Sequence, residues 1–233
     1  MANILLTGAS RGIGAAARAL LMQAGHTVIG QSTAGGGGLI AADFAAPRSA
    51  DALWAAALAQ AGGRIDVLVN NAGVFEAADI ADADAFAAAW GRSTAINLQS
   101  AADLCRHAVL HFQANGGGRI INVASRAGHR GDSPEHWHYA AAKAGMLAMT
   151  KTIARGYAAQ NILAFAITPG FTMTGMAEEY LASRGGDKLL ADIPLGRVAG
   201  AEEVAEAIRW LASSAPASLT GATLDINGAS YVR

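Results

Sequence analysis

The sequence predicts one α/β domain, on three observations. Apolar runs such as Ile4-Leu5-Leu6 and residues 65–69 are nearly continuous, as in strands buried on both faces of a parallel sheet. Between such runs lie Ala-rich segments of helical length and pattern. No linker-like stretch divides the 233 residues, which suit one large domain better than two small ones. With 52% hydrophobic and 15% charged residues there is ample material for a core and for a subunit interface, which argues against a disordered chain. The formal charge of -1 is spread along both halves, against a nucleic-acid surface or a polybasic membrane patch; a small, nearly neutral partner is expected. Cys105 is the only cysteine, so neither an intramolecular disulfide nor a Cys-rich metal site is expected. Met1 leads into the first apolar run without a basic segment, and that run is too short for a signal or a membrane span, so a cytoplasmic location is expected.

The first strand, residues 3–6, ends in Thr7-Gly8-Ala9-Ser10-Arg11-Gly12-Ile13-Gly14, and a helix follows over 15–24. A glycine loop in that place aims backbone N–H groups and the positive end of the helix at an anion, with glycines where a phosphate approaches the backbone. Residues 27–31 form the second strand. An acidic side chain after it would suit a ribose 2′-hydroxyl, whereas Ser32 and Thr33, with Arg11 nearby, suit a 2′-phosphate and favour NADP(H) over NAD(H). The glycines at 35–38 leave too little chain for a helix, so the next crossover reduces to a loop before a third strand at 39–42. At its end Asp43-Phe44 can receive an adenine amino group; alternatively, Asp43 caps the helix expected over 48–61.

The strand at 65–69 ends in Asn70-Asn71-Ala72-Gly73, small residues and amides able to close over an adenine ring. After an Ala-rich segment at 81–90, a long helix is expected from 93 to 114. Asn97 inside it costs a few tenths of a kcal/mol against good helix formers, which points to a role for its amide. The fifth strand, 118–124, delivers Ser125, whose hydroxyl either faces a site or ends the strand by bonding its own backbone. His129, His136 and His138 lie in or beside the loop 126–137. No carboxylate or thiol completes a ligand set, so no metal is expected, and they read as loop polar residues with one in reach of a substrate. A sixth strand at 161–168 breaks at Pro169-Gly170-Phe171-Thr172, and the segment at about 171–191 forms a lid over the strand ends. A last helix at 201–213 and a seventh strand at 222–226 complete the chain.

Tyr139-Ala-Ala-Ala-Lys143 lies within a helical run whose only weak point is Gly145. Positions i and i+4 share a helix face, so phenol and ammonium are expected side by side. A cation about 5 Å away at an effective dielectric of about 20 favours the phenolate by roughly 3 kcal/mol, or about 2 pKa units, which brings Tyr139 towards proton-transfer work. Taken alone, the pair reads rather as an ordinary surface Tyr and Lys on an Ala-rich helix.

Together, the glycine loop of residues 7–14, Asn70-Asn71-Ala72-Gly73, Asn97, Ser125, Tyr139 with Lys143, and Pro169-Gly170 resemble the short-chain dehydrogenase/reductase family in order and spacing. Residues 7–14, Ser32-Thr33 and Ile193-Pro194-Leu195-Gly196-Arg197 are similar to its bacterial 3-oxoacyl-carrier-protein reductase branch. The resemblance implies a doubly wound Rossmann sheet of seven mostly parallel strands and interconversion of a carbonyl and a secondary alcohol. It implies Tyr139 as general acid or base, Ser125 holding the substrate oxygen, Lys143 on the nicotinamide ribose and lowering the tyrosine pKa, and Asn97 positioning a relay water. Gly8, Ser10, Gly12, Ile13 and Gly14 would line the pyrophosphate, Asp43, Phe44, Asn71, Ala72 and Gly73 the adenosine half, and Pro169, Gly170 and Thr172 the carboxamide end. A homodimer or homotetramer through the helices at 93–114 and 138–159 is implied as well. The alternative is a non-catalytic NADP-binding redox sensor of the same fold, or the same chemistry with NAD(H). One departure stands out: Ser125 and Tyr139 are fourteen apart where the family has thirteen, which reshapes the pocket wall, with Trp137, Met173, Met176 and Tyr180 as candidate apolar lining.

Overall fold

Alternation along the strands splits the core into two layers. In β1 (Asn3–Leu6), Ile4 and Leu6 pack on one side of the sheet and Leu5 on the other. The same division separates Val67 and Val69 from Leu68, and Ile121 and Val123 from Ile120. Side chains on strands alternate with a period of two, so a strand apolar on every residue requires a cover on each face. A computed structural model describes residues 1–173 and 190–233 of the chain, and both covers lie within them. On one face lie α1 (Gly12–Gln23) and α7 (Ala201–Ser213), which contribute Leu21, Ile208 and Leu211. On the other lie α2 (Ser49–Gln60), α4 (Ser100–Ala114) and α6 (Trp137–Tyr157), which contribute Leu53, Leu104 and Ile153.

The remaining strands are β2 (Thr27–Ser32), β3 (Ile40–Ala41), β4 (Val67–Asn70), β5 (Gly118–Val123), β6 (Ile162–Pro169), β7 (Thr172–Met173), β8 (Ala199–Gly200) and β9 (Thr223–Ile226). Six of them join β1 in one seven-stranded sheet in the order β3-β2-β1-β4-β5-β6-β9, and every pairing in it is parallel. This is the doubly wound Rossmann architecture. The chain runs outward from β1 in one direction and from β4 in the other, which opens a crevice at the carboxyl ends of those two strands. β7 and β8 make a separate parallel pair that the sequence reading did not contain.

The crossover from β2 to β3 is a loop, as expected. Gly35, Gly36, Gly37 and Gly38 have φ of +70°, +83°, +57° and +79°, a left-handed turn that a run of L side chains would resist. The expected helix at 93–114 is instead the second half of a longer rod. α3 (Ala83–Thr94) continues through a π turn, Ala95–Gln99, into α4. A short helix, α5 (Ala127–Arg130), also occupies part of the loop after Ser125. Most of the proposed lid, with Met176 and Tyr180, lies outside the described residues.

Candidate active site

The glycine loop is fixed by side chains that arrive from neighbouring strands. The Gly8 N–H donates to Oε1 of buried Gln31 (2.8 Å), whose Nε2 donates to the Ala42 carbonyl (2.7 Å). Asn71 Nδ2 donates to the carbonyls of Thr7 and Gly8 (3.0 and 3.2 Å), and Thr7 Oγ1 accepts from the N–H groups of Asn71 and Ala72 (3.0 Å each). At Gly14 a Cβ would stand 1.9 Å from the Gly8 carbonyl oxygen, so only glycine lets the loop fold onto the start of α1. No side chain caps α1 and no acidic residue occupies its first turn, which leaves its positive end open to an anion.

The loop forms one wall of a cavity of about 520 Å³ at the β1/β4 crevice. Thirteen of the residues expected to bind a cofactor line it: Gly8, Ser10, Arg11, Gly12, Ile13, Gly14, Ser32, Thr33, Asp43, Phe44, Asn71, Ala72 and Gly73. Gln31, Val74, Arg92 and Ile96 line it too, and the sequence reading missed them. The signal for Gln31 is a lone amide among the mostly apolar residues of β2; Arg92 and Ile96 are one helical turn apart, Arg92 falling in the gap between the segments read at 81–90 and 93–114. Two of the expected roles change. The Ser32 hydroxyl is occupied within its own turn, accepting from Gly35 N–H (3.0 Å) and donating to the Gly35 carbonyl (3.3 Å). Asp43 does not cap α2, whose N-cap is Arg48 at φ +59°; its carboxylate accepts from Ala45 N–H (2.9 Å) in the preceding turn.

Beyond Gly73 the second half of the site begins. A Cβ on Gly73 would lie 2.8 Å from Asn97 Oδ1 and 3.6 Å from Lys143 Nζ, so this glycine keeps the passage between them open. Asn97 holds Val74 at both ends, its Oδ1 accepting from Val74 N–H (2.9 Å) and its Nδ2 donating to Val74 O (3.0 Å) and Ser93 Oγ (2.9 Å). Both Nδ2 protons are thereby used, and Oδ1 keeps one lone pair for a further donor such as a relay water. The Ser125 hydroxyl accepts from Ala127 N–H (3.1 Å) after the end of β5, the backbone-bonding role, and lies close enough to the Tyr139 phenol to favour its ionisation.

Lys143 reaches the same place from one turn further along α6, with Nζ 5.7 Å from the centroid of the Tyr139 ring and donating to the Val123 carbonyl (2.9 Å). The expected depression of the tyrosine pKa is overturned. Burial pushes Tyr139 up to about 12 despite the Ser125 hydroxyl, with Asp132 adding to the rise, and burial pulls Lys143 down to about 8. The i,i+4 geometry is as expected, but the loss of water around both groups outweighs their mutual attraction.

Pro169, Gly170 and Thr172 sit at the end of β6, outside the cavity's lining. The Pro169 carbonyl accepts from Arg126 N–H (3.1 Å), Gly170 N–H donates to Ile226 O (3.0 Å), and Thr172 Oγ1 donates to Gly170 O (3.2 Å). Beside Tyr139, Phe75 packs edge-on at 4.9 Å between ring centroids, and His136 stacks on Phe75 at 3.8 Å. Of the three loop histidines, His136 is thus the one joined to Tyr139 through an aromatic neighbour, whereas His129 stacks on Tyr231. Trp137 and Met173 are both exposed.

The chain as a whole is similar to known proteins over nearly its full length. A family model described as Enoyl-(Acyl carrier protein) reductase matches residues 8–229. The chain belongs to the short-chain dehydrogenase/reductase family. It is 35% identical over 240 residues to 3-oxoacyl-[acyl-carrier-protein] reductase FabG of Vibrio cholerae, covering 98% of this chain and 96% of that one. It is 34% identical over 243 residues to the protein of the same name from Escherichia coli, with the same coverage. Cis-4-hydroxycyclohexanecarboxylate dehydrogenase of Sinomonas cyclohexanicum is 37% identical over 243 residues, covering 96% of this chain and 94% of that one. As a short-chain dehydrogenase/reductase, the chain is an oxidoreductase of CH–OH groups that uses NAD(P). The cavity and its glycine cradle fit such a dinucleotide.

Proposed function

We propose that this protein interconverts a carbonyl and a secondary alcohol with NADP(H), and that Tyr139 is the general acid in reduction and the general base in oxidation. The observation that carries the reading is Lys143 Nζ 5.7 Å from the Tyr139 ring centroid, on the helix beside Ser125 and next to the cavity that fits a dinucleotide. The bound dinucleotide supplies or accepts the hydride. Ser125 holds the substrate oxygen. Tyr139, which burial keeps protonated in the cofactor-free protein, gives its proton to that oxygen in reduction and takes it back in oxidation. Lys143 binds the nicotinamide ribose, and its charge helps the phenol to release a proton. Asn97 keeps Val74 and Gly73 clear of Lys143, and Pro169, Gly170 and Thr172 hold the carboxamide end.

Arg11 and Thr33, both exposed at the cavity wall, support the 2′-phosphate and hence NADP(H). The names of the relatives put 3-oxoacyl thioesters and hydroxycyclohexane carboxylates first on a substrate panel. The working form is a homodimer or homotetramer located in the cytoplasm. Among the described residues no helix is long and apolar enough to cross a membrane.

Oxidation of NADPH and NADH by the purified protein across ketones, aldehydes and 3-oxoacyl thioesters tests the reading, with Tyr139→Phe alongside. Turnover with NADPH should fall about 10²–10⁴-fold in the Phe variant, the usual worth of a general acid, while NADPH binding stays near that of the parent. Tight NADPH binding without turnover in either direction would indicate the sensor, and a preference for NADH would overturn the assignment of Arg11 and Thr33.

A further inference from the structure

Arg11 and Arg92 are the two basic residues that line the dinucleotide cavity, and they lie on different walls: Arg11 in the glycine loop, Arg92 in the last turn of α3 beside Val74 and Ile96. The family pattern accounts for the first. Nothing yet accounts for the second.

The Arg92 guanidinium is held from one side. Its Nε donates to both oxygens of Glu76, at 3.1 and 3.2 Å, while among the described residues its two Nη nitrogens have no hydrogen-bond partner. Glu76 itself does not line the cavity. The two side chains are 48% and 43% exposed, so the pair is screened by water and weak. A guanidinium presents its donors as a planar fork that matches two oxygens of a phosphate, and one edge of this fork remains for a second anion. Asp43 is the one acidic residue in the lining, and its carboxylate is tied to the Ala45 N–H. The cavity therefore carries a net positive charge of one from its side chains, in addition to the open end of α1.

We infer that Arg92 is a second cationic contact to a phosphate of the bound dinucleotide, with Glu76 as the counter-ion that aims its guanidinium and partly neutralises it in the free protein. The inference rests on the dinucleotide occupying this cavity. The α3–π turn–α4 rod supports the placement. Asn97 ties the π turn to the Val74 backbone, so Arg92 is carried on a segment already fastened to the cavity rim. The phosphate is either the 2′-phosphate or the pyrophosphate, and the ligands of the test separate these.

The test is calorimetric titration of the full chain with NADPH, NADH and ADP-ribose, for the parent, Arg92→Gln, Arg92→Lys and Glu76→Gln. NADPH binding should weaken about tenfold in Arg92→Gln, and by less in Arg92→Lys, which keeps the charge but loses the fork. It should tighten by about two- to fourfold in Glu76→Gln, where the competing carboxylate charge is gone. A role confined to fold stability would not produce these opposite signs. Weakening shared by all three ligands assigns the contact to the pyrophosphate, and weakening confined to NADPH assigns it to the 2′-phosphate. Affinities within twofold of the parent for all ligands in Arg92→Gln would overturn the inference. If the parent bound none of the three, the cofactor reading itself would fall, and this one with it.

Discussion

Lys143 is 4% exposed, and its Nζ donates one hydrogen bond, to the Val123 carbonyl. Burial brings its pKa from 10.5 to about 8, so below pH 8 the folded protein holds a charge that the unfolded chain would solvate better. Between pH 8 and 10.5 the unfolded chain binds more protons than the folded one, and stability therefore rises with pH across that window. The full effect is about 3 kcal/mol, an upper figure for one buried ammonium. Lys143→Met removes the charge and leaves the Val123 carbonyl unpaired, which costs about 1 kcal/mol. The variant should thus be about 2 kcal/mol more stable than the parent at pH 7 without cofactor, and lose that advantage by pH 10.5. Urea unfolding of both proteins at the two pH values checks this; an advantage independent of pH would refute the account. The raised pKa of Tyr139 acts with the opposite sign above pH 10 and is common to both proteins, so it cancels. The contact between these two residues was legible in their i,i+4 spacing. The direction of the tyrosine shift was not, because it depends on how completely the surrounding elements exclude water.

Glycines within helices separate elements that only need propensity from those that meet a neighbour. In α3 and α6, Gly91 and Gly156 have no heavy atom within 4 Å of where a Cβ would stand. Replacing either by Ala should add about 0.5–1 kcal/mol, or roughly 2–4 °C of melting temperature per kcal/mol for a chain of this size. At Gly145 a Cβ would come within 2.9 Å of Leu98 Cδ2 in the π turn, so Leu98 must shift and Gly145→Ala should gain less than the other two replacements. A scanning calorimeter distinguishes the three; an equal rise in all of them would mean that α6 and the π turn can move apart freely. The same crossing explains what the sequence concealed. Strands could be read because a run apolar on both faces has few other uses, as at residues 67–69. The π turn could not, since it depends on Asn97 pairing with Val74, 23 positions away. Gln31 and Arg92 escaped for a similar reason: their importance lies in what they reach across the fold, and their local sequence is ordinary.

At the scale of the whole molecule, the outer faces of α4 and α6 carry features that a monomer does not need. Along α6, Ala141, Ala144, Ala148 and Thr152 are exposed at spacings of three and four, a strip without large side chains. On α4, Leu110 is 52% exposed. Methyl-sized side chains let a second helix approach to the short end of the 8–10 Å range of helix packing. A two-fold axis beside the strip would bring α4 and α6 of two copies into one four-helix layer. The opposite face of α6 carries buried Lys143 and half-buried Tyr139, so such a layer would brace this helix from behind. Light scattering on the purified protein should give two or four times the chain mass of 23.6 kDa. Ala148→Arg, which places a charge in the middle of the strip, should shift the mass towards one chain while leaving the far-ultraviolet circular dichroism unchanged. NADPH affinity should survive in the variant, because Ala148 is not among the residues that line the cavity. Turnover should fall further than affinity, because α6 then loses its brace. A parent protein that stays monomeric at tens of micromolar would remove the reason for the exposed strip, and an unchanged mass in the Ala148→Arg variant would place the interface elsewhere on the surface.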